Sequence, residues 1–225
     1  MTVRCYVATV GTEQASVVAS PAAPVGTPDG RTARRDRNRE AVVDGLLTLY
    51  RSGNLDPSSA EIAEQAGLSP RSLFRYFDDI DDLCRAAIAR QLDRIRPATI
   101  LGAEPGDPFA DRVTALVAAR LEVFALMGPV GVVARLKAPF LTVVADELSL
   151  ARTFFRGQIE HLFADELGAM GAPAAASMLA AADLLLSFES HELLRTDRHL
   201  APAELATVLV DSLTALLAPR PEARP

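Results

Sequence analysis

Ser58-Ser59-Ala60-Glu61-Ile62-Ala63-Glu64-Gln65-Ala66-Gly67-Leu68-Ser69-Pro70-Arg71-Ser72-Leu73-Phe74-Arg75-Tyr76-Phe77 is the most informative stretch of this 225-residue chain. Ser58 and Glu61 form an S-x-x-E capping box, which starts a short helix with Ile62, Ala63 and Ala66 facing inward and Gly67 as its stop. Ser69 followed by Pro70 is an N-cap with proline at the first helical position, so a second helix is predicted from there through Phe77. Ala63, Gly67 and Leu73 fit a close crossing of the two: a small residue at the contact, a residue free to take positive φ in the turn, and an apolar plug in the angle. A hairpin buried in a core would surround its second helix with apolar residues. Here the outer face carries Pro70, Arg71, Ser72 and Arg75 instead. Arg71 and Arg75 lie four apart and share a face, and the planar guanidinium fork matches guanine O6 and N7 or a phosphate. That is the pattern of a DNA-reading face. Tyr76 can place its hydroxyl on a phosphate, and the amides at the helix start, around Ser69 to Ser72, can add backbone contacts.

Upstream, Arg31, Arg34, Arg35, Arg37 and Arg39 fall within nine residues, opposed only by Asp36. Alone, such a run is an ordinary solvated helix start; beside the DNA-reading face, Arg34 and Arg35 become candidates to follow the duplex or enter a minor groove. A first helix is expected from residue 36, on Val42, Val43, Leu46, Leu47, Leu49 and Tyr50, with Ser52-Gly53-Asn54 ending it. Residues 1–30 have no period and close on Pro21, Pro24, Gly26, Pro28 and Gly30, the composition of a disordered arm.

Downstream, Asp78 or Asp79 caps a fourth helix that runs to about Pro97, with Leu83, Cys84, Ala87, Ile88, Leu92 and Ile95 on one side. Helices are then expected from Asp107-Pro108 to about Met127, over 130–138, from Pro139 to about Leu167, over 173–195, and from Pro202 to Leu217. About nine helices and no strand make an all-α fold. The division follows: 1–30 arm, 31–80 helix-turn-helix DNA-binding domain of three helices, 81–97 linking helix, 98–225 helical ligand-binding and dimerisation domain.

Charge agrees with that division. Residues 31–96 hold 12 Lys and Arg against 11 Asp and Glu, whereas residues 97–225 hold 10 against 16. With the whole chain at −6, nucleic-acid contact has to come from a local patch in the first half. The two cysteines, Cys5 and Cys84, build neither a disulfide framework nor a four-ligand zinc site, and point to a reducing cytoplasm. Arg, Asp or Glu interrupts every long apolar run, so neither a membrane span nor a secretory leader is expected, and the protein should be soluble.

In order and spacing, Ala60 through Phe77, continuing to Asp81-Asp82-Leu83, resembles the DNA-binding motif of the TetR family of transcriptional regulators, and the likeness extends over residues 34–90. The resemblance implies a regulator of double-stranded DNA, typically a repressor, acting as a homodimer on a palindromic operator. It also implies a small-molecule effector whose binding tilts the fourth helix and changes the separation of the recognition helices. Arg34, Arg35, Ser69, Pro70, Arg71, Ser72, Arg75 and Tyr76 are the expected DNA contacts. The chain departs from the family where it carries Arg71 in place of a small residue, Phe74 in place of Tyr, and Ile80 in place of a phosphate-reaching Lys. Ile80 stands inside the acidic run Asp78, Asp79, Asp81 and Asp82, which would repel phosphate at close range.

Leu179, Leu184, Leu185, Leu186 and Phe188, with Leu205, Val208, Leu209, Leu213, Leu216 and Leu217, exceed what one helix face needs, so residues 173–217 are the expected self-association surface. The effector is expected to be largely apolar, with a few polar groups among many aromatic ones: candidate contacts are Arg120, Phe124, Met127, Phe155, Gln158, His161, Phe188 and His191. Phe140, Phe154, Phe163 and Glu189 are further possibilities of the same kind. An enzyme is not expected. His191-Glu192 begins an H-E-x-x-H but Arg195 stands at its fifth position, no G-x-S-x-G, P-loop or G-x-G-x-x-G occurs, and no metal or cofactor is implied. The competing class is a helical protein-interaction module without sequence-specific DNA binding, in which Arg71 and Arg75 would be dispensable.

Overall fold

The computed structural model describes residues 30–218, so the arm expected over 1–30 lies, but for Gly30, outside the described residues. Among those described there are ten α-helices and no strand. They divide into two compact units, the first ending at Arg90 and the second beginning at Gln91.

The first unit is built on α1 (Gly30–Arg51), α2 (Ser59–Gln65), α3 (Pro70–Leu73) and the first part of α4 (Ile80–Ile95). α1 begins at Gly30, six residues earlier than the apolar pattern suggests. Arginine is a good helix former and nothing between 31 and 41 breaks the backbone, so the charged run is itself helical. Its apolar face, Val42, Val43, Leu46 and Leu47, is buried, and Gly45 lets α2 come close: a Cβ there would stand 3.4 Å from the Ala66 nitrogen.

The second unit holds the end of α4, a 3₁₀ turn at Arg96–Thr99, α5 (Phe109–Lys137), α6 (Thr142–Leu162), α7 (Ala164–Gly168), α8 (Ala172–Leu185), α9 (Phe188–Glu192), a π turn at Leu193–Asp197, and α10 (Pro202–Leu217). Its main core joins Val113 and Leu116 of α5, Ile159 and Leu162 of α6, Leu179 and Ala182 of α8, and the stripe Leu205, Leu209, Leu213 and Leu217 of α10. Arg112 crosses from α5 to α7, where it pairs with Glu166 at 2.5 Å; both side chains are buried, and Arg112 also donates to the Leu162 carbonyl at 2.7 Å.

Gly128, at φ 46° and ψ −136°, leaves the helical conformation and with Pro129 kinks α5, so that its two stretches meet where the sequence pattern ends one helix at about Met127 and begins another at 130. Two boundaries differ from the sequence pattern. The stretch after Pro139 divides at Phe163 into α6 and α7. The stretch 173–195 divides at Leu186-Ser187, because the Ser187 hydroxyl accepts from the Ser190 backbone N–H at 3.1 Å and starts α9 with a 45° bend from α8.

α5 is by length and hydropathy able to cross a membrane. Its own side chains identify it as a core helix, since Arg112 and Arg120 are buried and bonded to neighbouring helices.

Candidate functional site

In the first unit the capping box forms as the spacing requires. Ser58 Oγ accepts from the Glu61 N–H at 3.3 Å, while the Glu61 carboxylate accepts from the Ser58 hydroxyl at 2.6 Å and the Ser58 N–H at 2.7 Å, two bonds that lower the Glu61 pKa. α2 ends in a Schellman motif: Gly67 adopts φ 67°, its N–H reaches the Glu64 carbonyl at 3.0 Å, and the Leu68 N–H reaches the Ala63 carbonyl at 2.8 Å. Ala63 and Leu73 are buried at the crossing.

α3 is shorter than the expected helix through Phe77. Past Leu73 the chain makes tighter turns, with Arg75 N–H to Ser72 O and Tyr76 N–H to Leu73 O, both at 3.1 Å. The cause lies on α1. Arg39 donates to the Tyr76 carbonyl at 2.6 Å and lies 4.3 Å over the Phe77 ring, drawing the end of the turn into the core. Asn38 Nδ2 donates to the Tyr76 hydroxyl at 2.7 Å, which leaves that hydroxyl's own proton for an outside acceptor.

Around this frame Ser69, Pro70, Arg71 and Arg75 are exposed, Ser72 and Tyr76 are half-buried, and Phe74 is 70% exposed. Ser69 and Ser72 share a hydroxyl hydrogen bond of 2.8 Å. Arg34 and Arg35 are exposed on the first turns of α1, so they belong to a helix and not to an arm preceding it.

Arg39, read from its spacing as one more surface arginine, is instead committed inside the unit. It binds Asp82 through two hydrogen bonds of 2.9 and 2.6 Å. Asp82 is thereby lowered to about 2, chiefly by the Arg39 hydrogen bond, and its charge is compensated. Asp79 Oδ1 accepts from the Asp82 N–H at 2.7 Å and caps α4. Two of the four acidic residues thus have structural work, while Ile80 is exposed beside them.

Residues 56–87 match the family model described as bacterial regulatory proteins, tetR family. The match falls on the helix-turn-helix and the start of α4. Outside that segment the likeness is of fold. A transcriptional regulator of Rhodococcus sp. Rha1 is similar with a TM-score of 0.60 at 18% identity, over 81% of this chain and 95% of that one. A Rhodococcus sp. protein assigned to the TetR family is similar with a TM-score of 0.57 at 20% identity, over 83% of this chain and 100% of that one. No curated protein matches the sequence. The family match is thus confined to the helix-turn-helix segment, and the remainder of the chain shares with these proteins an all-helical fold.

Most of the expected ligand residues come together in the second unit. Phe124 of α5 is the hub, with its ring 6.4 Å from Phe155, 5.6 Å from Phe188 and 5.4 Å from His191. Arg120, one turn before it, is fully buried: Nη1 donates to Gln158 Oε1 at 2.8 Å, Nη2 to the Phe155 carbonyl at 2.9 Å, and the guanidinium lies 4.1 Å over the Phe155 ring. Burial lowers its pKa to about 9, with Asp183 acting in the opposite direction. Met127 flanks the same cluster. His191 is buried with its pKa lowered, chiefly by desolvation, and is therefore neutral near pH 7. Its Nδ1 lies 3.3 Å from Glu192 Oε1 without the alignment of a hydrogen bond.

His161 stands apart and is exposed. On α6 it is rotated roughly 120° from the buried face carrying Gln158, Ile159 and Leu162. Phe140 is exposed and Phe163 belongs to the main core. Glu189 faces Arg135 and Arg152, each at 2.9 Å.

Two contacts that the sequence did not suggest tie this cluster to the end of α4 and the turn that follows it. Gln158 Nε2 donates to the Thr99 carbonyl at 2.8 Å, and Gln91 Nε2 donates to the Leu126 carbonyl near the α5 kink at 3.1 Å. No motif announces an amide that meets a carbonyl 59 or 35 positions away.

Of the apolar residues expected to pair two chains, Leu179, Leu186, Phe188, Leu205, Leu209, Leu213 and Leu217 are buried within this one. Leu184, at 68% exposure, and Val208 remain outward on α8 and α10.

Proposed function

We propose that the chain is a ligand-responsive repressor that binds a palindromic operator as a homodimer and releases it when a small, largely apolar molecule occupies the cluster around Phe124. The observation that carries the DNA-reading part is the outward group Arg71, Phe74 and Arg75 on a turn whose inner side, Leu73 and Phe77, is locked into the core. Arg71 and Arg75 present guanidinium forks to base edges or phosphates, Phe74 presents an apolar face of the kind that contacts a thymine methyl, and Tyr76 donates its hydroxyl proton to a phosphate. Ser69, Pro70, Ser72, Arg34 and Arg35 complete the contact surface, and Arg34 and Arg35 act from the start of α1.

Pairing through α8 and α10 supplies the second recognition element, as half-sites about 34–36 Å apart require. Response to ligand runs through the second unit. A molecule that moves Arg120 or the α5 kink acts on Gln158 and Gln91, which hold Thr99 and the end of α4. It shifts the equilibrium only by its differential affinity for the two states. A regulator of this kind works beside the chromosome, in the cytoplasm, and carries no catalytic role.

The test is selection of genomic fragments by the purified protein at a stated salt concentration, in parallel with the double variant Arg71→Ala, Arg75→Ala. A short palindrome recovered by the wild type and lost by the variant is the expected result. No enriched site, with the two proteins indistinguishable, replaces this reading by that of a helical protein-interaction module.

A further inference from the structure

Native proteins satisfy nearly all of their buried polar atoms, so exceptions point to something. Among the described residues two buried side-chain atoms have no hydrogen-bond partner, Arg120 Nε and His191 Nδ1. They are far apart in sequence, yet both belong to the one aromatic cluster. Arg120 lies over Phe155, His191 lies against Phe124, and the rings of Phe124 and Phe155 are 6.4 Å apart.

Arg120 has a second deficit. Its two hydrogen-bond acceptors, Gln158 Oε1 and the Phe155 carbonyl, are neutral, so a fully buried cation has no carboxylate in contact. The acidic group that acts on it from a distance, Asp183, is paired with Arg156 at 3.7 Å. Arg112 on the same helix is a direct contrast, less deeply buried and held by Glu166 at 2.5 Å. A buried charge without a counter-charge is costly, and a neutral ligand oxygen would satisfy Nε while leaving the charge uncompensated. A carboxylate does both.

We propose that the effector is an organic acid, seated with its carboxylate on Arg120 and its apolar or aromatic body among Phe124, Phe155 and Phe188. The proposal rests on the reading of this cluster as the effector site and names its ligand class. His191 Nδ1, whose ring lies against Phe124, meets a second polar group where the acid carries one. The arrangement is selective against the corresponding alcohol or amine, since the alcohol brings no charge and the amine brings the wrong one.

The experiment compares matched probes on the full-length protein: decanoate with decanol, and 4-phenylbutyrate with 4-phenylbutanol. Binding is measured by calorimetry and by the shift in unfolding temperature. The expected result is saturable binding of at least one acid, tighter than its alcohol by about tenfold or more, as a charge-assisted hydrogen bond supplies. Arg120→Gln, checked for helix content, is expected to bring acid and alcohol within about twofold, while Arg120→Lys retains part of the preference because the charge remains. Equal binding of acid and alcohol by the wild type, no binding of either acid, or an acid preference that survives in a folded Arg120→Gln protein overturns the proposal. The wild-type comparison stands even if the variant fails to fold. Retention of genomic DNA, measured on the same protein, separates the two readings: acid preference without DNA retention sinks the repressor and keeps the acid site, and the reverse sinks only the acid site.

Discussion

Arg39 and Arg71 are both arginines of the first unit, and their surroundings assign them opposite tasks. Arg71 is exposed, whereas Arg39 spends its guanidinium on the Tyr76 carbonyl, the Asp82 carboxylate and the Phe77 ring. Arg39→Ala is therefore expected to destabilise the first unit, and Asp82→Asn to cost about 1 kcal/mol at pH 7, reduced from the value of a buried charged pair because the site is partly open to water. The pH dependence has a definite sign. Asp82 has its folded pKa lowered from 3.8 to about 2, so its contribution is complete above the unfolded value and is lost as pH falls from about 4 towards 2. Glu189 behaves likewise: burial opposes ionisation, but the bonds from Arg135 and Arg152 prevail and lower it to about 2. Denaturant titrations across that range are expected to show a falling limb in the wild type that is shallower in Asp82→Asn. An unchanged limb would mean that other carboxylates govern acid unfolding.

At the level of elements, two glycines hold the geometry for different reasons. Gly67 has φ 67° and open space where a Cβ would stand, so only backbone strain opposes substitution. Gly67→Ala is expected to cost about 1–2 kcal/mol, with Gly67→Asn recovering part of it, and loss of the Ser58 cap in Ser58→Ala about 1 kcal/mol. Both are read in thermal unfolding. Gly131 is different: it sits in α5 against the Phe188 ring, and an added Cβ would meet ring carbons at 2.7 Å. Gly131→Ala should cost about 1–3 kcal/mol by overpacking, and combining it with Phe188→Leu should restore part of that stability. Equal losses in the single and double variants would show that the contact is not the source. The capping box, the Gly67 turn and Pro70 were legible because each is local, with donor and acceptor within a few residues. The shortening of α3 and the break at Ser187 were less so. The first depends on Arg39, 37 positions from the carbonyl it binds, and the second had only a weak signal in Ser187 and Ser190.

For the whole molecule, self-association is the property that most needs a measurement. Most leucines of α8 and α10 are consumed by the chain's own core, leaving Leu184 and Val208 outward. Light scattering is expected to give twice the chain mass of 24.0 kDa, and Leu184→Asp with Val208→Asp to give a monomer of unchanged helix content. A wild type that stays at the single-chain mass at high concentration would remove the dimer from the proposed function. The leucine excess was visible in the sequence, but not its division between inside and outside, because a helix face can be covered by another helix of the same chain as well as by a partner.

The amino-acid sequence by itself determined the all-helical character, the helix-turn-helix and its outward arginines, since these follow from periodicity, caps and turn residues that act over one or two turns of chain. It also placed Arg120, Phe124, Met127, Phe155, Gln158, Phe188 and His191 in one list. Only the tertiary structure separated His161 from that list, turned Arg39 into a structural residue, and brought two unsatisfied donors or acceptors, Arg120 Nε and His191 Nδ1, into one aromatic cluster. The physical reason is the range of the interactions. Helix formation is decided by neighbours in sequence, whereas burial and the presence or absence of a counter-charge are decided by residues tens of positions away, which packing alone brings together.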